Sequence, residues 1–276
     1  MAISAADVNK LRKQTGAGMM DCKKALTETN GDFEAAVDFL RKKGQKVSAS
    51  RSDRETTEGV VIARTNSDET RGIVIGISCE TDFVAKNDAF IQFASSIADV
   101  AIKGNVNTAE EVLALDLNGT TVQDAITDQI GKIGEKIEVS SFHVESAEKV
   151  VSYIHANNKL GVLVAMSKAG NGSIEAAGKD VAMQIAAMKP VALDKDAVDS
   201  ATIEREIEIA KDVIRAEGKP EAMIEKIALG KLNKFFKDNT LLNQQFVKDS
   251  SKTVKEMLAE VDKDLNVVSF KRVEIG

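Results

Sequence analysis

Tryptophan is absent from this 276-residue chain, tyrosine occurs once, and aromatic residues make up only 4%. Platforms that stack single-stranded bases need several exposed rings, so that class of function is disfavoured. Cysteine occurs twice, at Cys22 and Cys79. Two thiols are too few for a disulfide scaffold and suit a reducing, cytoplasmic compartment. The two histidines, His143 and His155, have no metal-ligand spacing to each other or to the cysteines, so neither a zinc site nor any other metal is expected. The longest apolar runs, such as residues 162–166, fall far short of the ~20 residues that span a bilayer. The first seven residues, MAISAAD, lack a basic flank and an apolar stretch, so neither a secretory signal nor a membrane role is expected. A basic excess is also missing: 37 Lys and Arg stand against 43 Asp and Glu, a net charge of −6. A broad nucleic-acid footprint normally needs the opposite balance.

What is present is enough apolar material for a core, at 43% hydrophobic residues. The charge is uneven. Residues 1–54 carry 11 basic and 7 acidic side chains, or +4, and the rest carry 26 and 36, or −10. The excess gathers at Arg41, Lys42, Lys43, Lys46, Arg51 and Arg54. Such a run is read either as a solvated helix end and linker or as a patch that steers an acidic partner.

The hydrophobic pattern divides the chain. Residues 1–45 read as three short helices: Ser4 and Asp7 form a capping box, Val8 and Leu11 face inward, and Gly16 and Gly18 break the first helix. The third carries Phe33, Ala36, Val37 and Leu40 and is expected to stop at Gly44. Residues 46–58 are polar and read as a linker. Residues 59–146 follow a strand–strand–helix–helix–strand plan, with strands at 59–64, 71–79 and 136–145 and helices at 88–102 and 120–133. Residues 147–276 repeat that plan, with strands at 150–155, 160–167 and 265–275 and helices at 174–188 and 251–261. The ends of the halves resemble each other, VSSFHVE at 139–145 against VVSFKRVE at 267–274. The expected class is therefore α+β: a helical module and two related subdomains, each with an antiparallel three-stranded sheet. The second copy holds an inserted helical hairpin at about 200–240, with Ile209, Met223 and Leu229 off its main apolar stripe. These three either fold onto the body or leave a face for a second subunit.

Signs of covalent chemistry are missing. TGAG at 15–18 follows a helix and lacks phosphate-loop spacing, and no G-x-S-x-G or H-E-x-x-H occurs. His143 is expected on a solvent-facing strand position, and His155 beside a turn, where it either caps the turn or meets a partner. The unusual segment is CETDFVAKN at 79–87. Thr81 or Asp82 can cap a short helical turn there. Phe83 then either packs beneath the next helix or stands out at the tip.

Three stretches, TGAGMMDCKKAL at 15–26, TDFVAK at 81–86 and LGVLVA at 160–165, closely resemble the bacterial elongation factor Ts family, and the likeness runs in order over nearly the whole chain. The resemblance implies a guanine-nucleotide exchange factor that binds elongation factor Tu in the cytoplasm, without covalent chemistry or a cofactor of its own. It implies that the N-terminal module resembles a ubiquitin-associated domain, with Arg12, Met19, Met20 and Lys23 contacting the partner's nucleotide domain. Thr81, Asp82, Phe83 and Val84 match the element that dislocates the partner's Mg²⁺, with Phe83 inserting between partner side chains. His155 matches a position facing the partner's distal domain, and Val247 another contact in the loop 241–247. Two departures are visible: Gln245 stands before Phe246 where members often have proline, and a C-terminal helical module found in some members does not follow residue 276. The hairpin resembles an insertion that can mediate a homodimer. A non-catalytic adaptor that binds another protein through the helical module is the alternative. A small-molecule enzyme and an RNA-binding translation protein are further competitors, which the lack of titratable pairs and the acidic balance disfavour.

Overall fold

Local signals place the first elements. In the computed structural model, which describes residues 3–170 and 172–276, α1 (Ala5–Thr15) begins at a capping box. The Asp7 N–H donates to Ser4 Oγ at 3.1 Å and the Ser4 N–H donates back to Asp7 Oδ2 at 3.2 Å. It ends at Gly16, whose φ of 71° is the left-handed conformation that glycine takes without steric cost. Helix α2 (Met19–Glu28) follows, and α3 (Phe33–Ser50) starts at Asp32, whose carboxylate accepts the Ala35 N–H. Leu11, Cys22, Ala25, Leu26 and Ala36 form the buried centre of this three-helix unit.

Helix α3 does not stop at Gly44. It runs on to Ser50, through the first five residues of the expected linker. The reason is a crossing. Gly44 is buried against Gly131 of α7 (Val122–Ile133), and a Cβ added to Gly131 would lie 2.7 Å from Gly44 Cα. A mid-helix glycine costs about 0.5–1 kcal/mol relative to alanine, and here the close contact of two helix backbones offsets that cost. Val47, on the continuation, packs on the next hydrophobic core.

That core lies under the antiparallel sheet β1 (Glu58–Thr65), β2 (Arg71–Cys79) and β3 (Ile137–Ser146), ordered β1-β2-β3. Its helices are α4 (Asp82–Ala85), α5 (Asp88–Gly104), α6 (Ala109–Ala114) and α7. Ile73, Ile75 and Ile77 meet Phe90, Ala94, Ile97, Val122, Ile126 and Ile130 there. Helix α6 was not expected, although Thr108 and Glu111 form a capping box at its start.

The second sheet repeats the order: β4 (Lys149–His155), β5 (Leu160–Met166) and, at the far end of the chain, β8 (Val267–Glu274), with β5 central. Its helical layer includes α8 (Gly172–Met188). The hairpin α9 (Ser200–Ala216) and α10 (Glu221–Asn239) closes on Ala210, Ile214, Ile224 and Ala228, and leaves Ile209, Met223 and Leu229 exposed. Residues 251–253 were expected to be helical. They belong instead to β7 (Asp249–Thr253), which pairs with β6 (Gln245–Phe246), and the Thr253–Glu256 capping box delays α11 to Val254–Val261.

The two sheets pack face to face. Val61, Ala63 and Val74 meet Val150, Leu163, Val273 and Ile275. Glycine sets the separation: a Cβ on Gly72 would lie 2.7 Å from Val150 Cγ1, and one on Gly161 2.6 Å from Val61 Cγ1. The layers therefore run helices, sheet, sheet, helices, which is why β2 is buried on both faces. The class is α+β. Among the described residues, no helix is long and apolar enough to cross a membrane, and no group of three His, Cys, Asp or Glu could hold a metal.

Candidate functional site

Strand β2 ends at Cys79, and the chain turns at once into the single-turn helix α4. The turn sorts its side chains. Ala85 is buried and Val84 packs on the first core, while Phe83 is 84% exposed. Of the two placements open to Phe83, the outward one is adopted. Asp82 pairs with Lys86 at 2.7 Å, and the hydrogen bond from Lys86 holds its carboxyl below the usual range. The tip thus presents a bare ring beside a carboxylate.

The approach to this tip is locked. Arg51 Nη1 donates to both carboxylate oxygens of Glu80, at 3.0 and 2.9 Å, and the Lys136 N–H donates to Glu80 Oε1 at 2.6 Å. Burial raises the pKa of Glu80, but the bonds from Lys136 and Arg51 outweigh it and the net shift is downward. The next residue, Thr81, donates its N–H and its hydroxyl to the two oxygens of Glu135, at 3.0 and 2.7 Å. Cys79 lies beneath, its thiol 3.3 Å from the Thr81 carbonyl. Burial, reinforced by Glu135, pushes that thiol up to about 12, so it is not a nucleophile.

The N-terminal module presents its own surface. Arg12 lies in the last turn of α1, and Met19, Met20 and Lys23 lie on the first turns of α2; all four are exposed, Met20 by 74%. Lys23 follows Met20 by three residues and Met19 by four, so it neighbours both on the helix surface, and one side of α2 carries two flexible thioethers and a cation.

His155 ends β4 and is exposed, with Nδ1 2.9 Å from Tyr153 Oη. The adjoining turn is tied to the first sheet by an ion pair between Lys159 and Glu58 at 2.7 Å. Val247 is 55% exposed just beyond β6, and its N–H donates to Gln184 Oε1 at 2.8 Å. Gln184 is buried in α8 and donates to Gln244 Oε1 at 3.1 Å and to the Gln245 carbonyl at 3.0 Å. Gln244, also buried, donates to the Asp238 carbonyl at 3.0 Å. A pair of buried amides thus holds the loop that carries Gln245 in place of proline.

Arg12, Met19, Met20, Lys23, Phe83, His155 and Val247 all lie exposed, and the residues that hold the turn and the loop are not among those the sequence singles out. Arg51 was read only as part of a charge run, and Glu80, Glu135, Gln184 and Gln244 were not singled out. Gln184 alone had a local signal, since it sits on the stripe of Val181, Ile185 and Met188 where an apolar residue is expected. The Glu80 and Glu135 bonds join residues 29 to 56 apart and have no local signature.

The family described as Elongation factor TS matches residues 80–276. Over 274 residues the chain is 56% identical to "Elongation factor Ts" of Christiangramia forsetii, covering 99% of both chains. It is 57% identical over 275 residues to the protein of that name from Cytophaga hutchinsonii, again covering 99% of both. It is 46% identical over 277 residues to the Porphyromonas gingivalis protein of that name, covering all of this chain and 99% of the relative. On this likeness, which extends over essentially the full length, the chain belongs to the elongation factor Ts family of translation elongation factors.

Proposed function

We propose that this chain is a guanine-nucleotide exchange factor for elongation factor Tu, and that the exposed Phe83 on its locked turn is the element that loosens GDP. A nucleoside diphosphate held at nanomolar affinity is bound by about 12 kcal/mol, so its unassisted release is slow. Much of that grip comes from Mg²⁺ and the phosphate loop. A protein that prefers the nucleotide-free shape of its partner weakens GDP binding, and GDP weakens the protein's binding by the same factor. A coupling of about 3 kcal/mol gives more than 100-fold in affinity.

Each surface has a part in this reading. Arg12, Met19, Met20 and Lys23 grip the nucleotide domain. Phe83 enters between partner side chains near the magnesium site, Asp82 brings a negative charge toward it, and Thr81 and Val84 anchor the turn. His155 and Val247 contact a distal domain, so that the factor holds its partner at several separated points. No bond is made or broken, and no cofactor or nucleic acid takes part. The exposed Ile209, Met223 and Leu229 support a secondary role of the hairpin in self-association, which the molar mass from light scattering at increasing concentration tests.

The observation that carries the proposal is the 84% exposure of a phenylalanine on a turn whose neighbours are fixed by five hydrogen bonds to Glu80 and Glu135. A lone exposed apolar side chain is common; what supports the reading is that this ring is held outward on a fixed turn of a loop, where binding residues concentrate. Release of a fluorescent GDP from elongation factor Tu, followed with and without the chain, tests it. Acceleration is expected; an unchanged rate alongside tight binding is the outcome of the adaptor alternative.

A further inference from the structure

We infer that Arg51, Glu80 and Glu135 are positioning residues that make the N-terminal module and Phe83 one rigid unit, an inference that rests on the reading of Phe83 as the exchange element. A four-residue helix cannot hold its own shape, because helix nucleation is unfavourable at that length. Thr81, its N-cap residue, makes no side-chain capping bond to it. Phe83 itself is too exposed for packing to fix its direction. What fixes the turn is the inward packing of Val84 and Ala85 together with the bonds at its entry.

Those bonds close a circuit. Arg51 is the C-cap residue of α3, the long helix of the module. Its guanidinium grips Glu80 through Nη1, which donates to both carboxylate oxygens in a charge-assisted contact. Glu80 and Thr81 are adjacent, and they bond to Lys136 and Glu135, which are also adjacent. Glu135 directly follows Gly134, the residue with φ of 82° that ends α7. Helix α7 returns to α3 through the Gly131–Gly44 contact. From α3 through Arg51, Glu80, Thr81, Glu135 and α7 back to α3, each link is a direct contact. Docking the module on a partner therefore also aims Phe83.

A wedge on a slack turn still binds but yields instead of displacing its neighbours. Loss of the circuit should lower the rate at saturation more than the affinity. The test uses the full chain with the variants Glu135→Ala, which removes both acceptors of Thr81, and Glu80→Gln, which breaks the ion pair while leaving an acceptor for Lys136. A second route is the exchanged pair Arg51→Glu with Glu80→Arg, whose activity should exceed that of Arg51→Glu alone. The expected result is a fall of about tenfold in GDP release at saturating factor, with the half-saturating concentration changed by less than about twofold. Amide exchange at 81–85 should rise while exchange in β2 and α5 stays as in the parent. Glu135→Ala should add nothing to Phe83→Ala, since both remove one action.

A saturating rate unaffected by Glu135→Ala, while Phe83→Ala lowers it, overturns the positioning role and leaves the wedge intact. Multiplicative losses in the double variant overturn it as well. A normal rate with Phe83→Ala refutes the wedge reading, and the positioning role falls with it.

Discussion

Gly44 and Gly131 stand back to back where α3 crosses α7, so close that a Cβ on Gly131 would lie 2.7 Å from Gly44 Cα. This contact seats the N-terminal module on the first sheet's helical layer. The obstacle to a larger residue is backbone, which cannot swing aside. Gly131→Ala gains up to about 1 kcal/mol of helix propensity. Forcing the two helices apart costs typically ~1–3 kcal/mol, and the cost wins. The variant should unfold at lower denaturant concentration, by urea titration followed in the far-ultraviolet. Equal or higher stability would show that the crossing has slack.

Met20 offers a large flexible side chain to solvent at the start of α2. Met20→Ala should leave stability within about 0.5 kcal/mol, because little packing is lost. It should weaken association with elongation factor Tu by about 1–2 kcal/mol, or roughly five- to thirtyfold. Isothermal titration with the nucleotide-free partner decides this, and unchanged affinity would remove Met20 from the contact.

Gln184 supplies the acceptor for the Val247 N–H and a donor to the Gln245 carbonyl from inside an apolar core. Gln184→Leu keeps the volume but strands those groups, at a cost of about 1–3 kcal/mol. Thermal unfolding should register the loss, and amide exchange at Val247 should accelerate. A stability equal to the parent's would mean that Gln244 and the β6–β7 pairing suffice to hold the loop.

Cys79 gives a pH signature. Its thiol is held neutral up to about 12, against an ordinary value of 9.0. In the unfolded chain it ionises near its ordinary value, so between 9 and 12 the unfolded state binds fewer protons than the folded state. The folded state thus loses stability as pH rises through that window, and below it the thiol has no effect. Cys79→Ala should flatten the decline between pH 9 and 11, measured by urea titration at each pH against the parent. Identical slopes would contradict the assigned burial.

Elements with a local cause were legible in the sequence. The Ser4–Asp7 box, the β-branched run of β2 and the apolar stripe of α5 each announce themselves within a few residues. Gly44 misled because a glycine near a helix end looks like a stop until the glycine opposite it is known. The β6–β7 pairing was hidden because residues 249–253, DSSKT, are polar and carry no strand pattern. At the candidate site, residue types pointed to the segment 79–87 but could not decide whether Phe83 faced in or out. That outcome depends on Val84 and Ala85 filling the inward positions and on Glu135, 54 residues from Thr81, securing the turn.

In the proposed mechanism an exposed ring on a secured turn loosens GDP. Stopped-flow release of a fluorescent GDP from elongation factor Tu, with the parent chain and with Phe83→Ala at saturating concentrations, tests it most directly. Phe83 is almost fully exposed, so the variant should fold with its stability changed by less than about 0.5 kcal/mol. Strong acceleration by the parent is expected, with a loss of about tenfold or more in the variant, the scale set by removing one interaction of about 1.4 kcal/mol made only during release. Equal acceleration by the two proteins would contradict it.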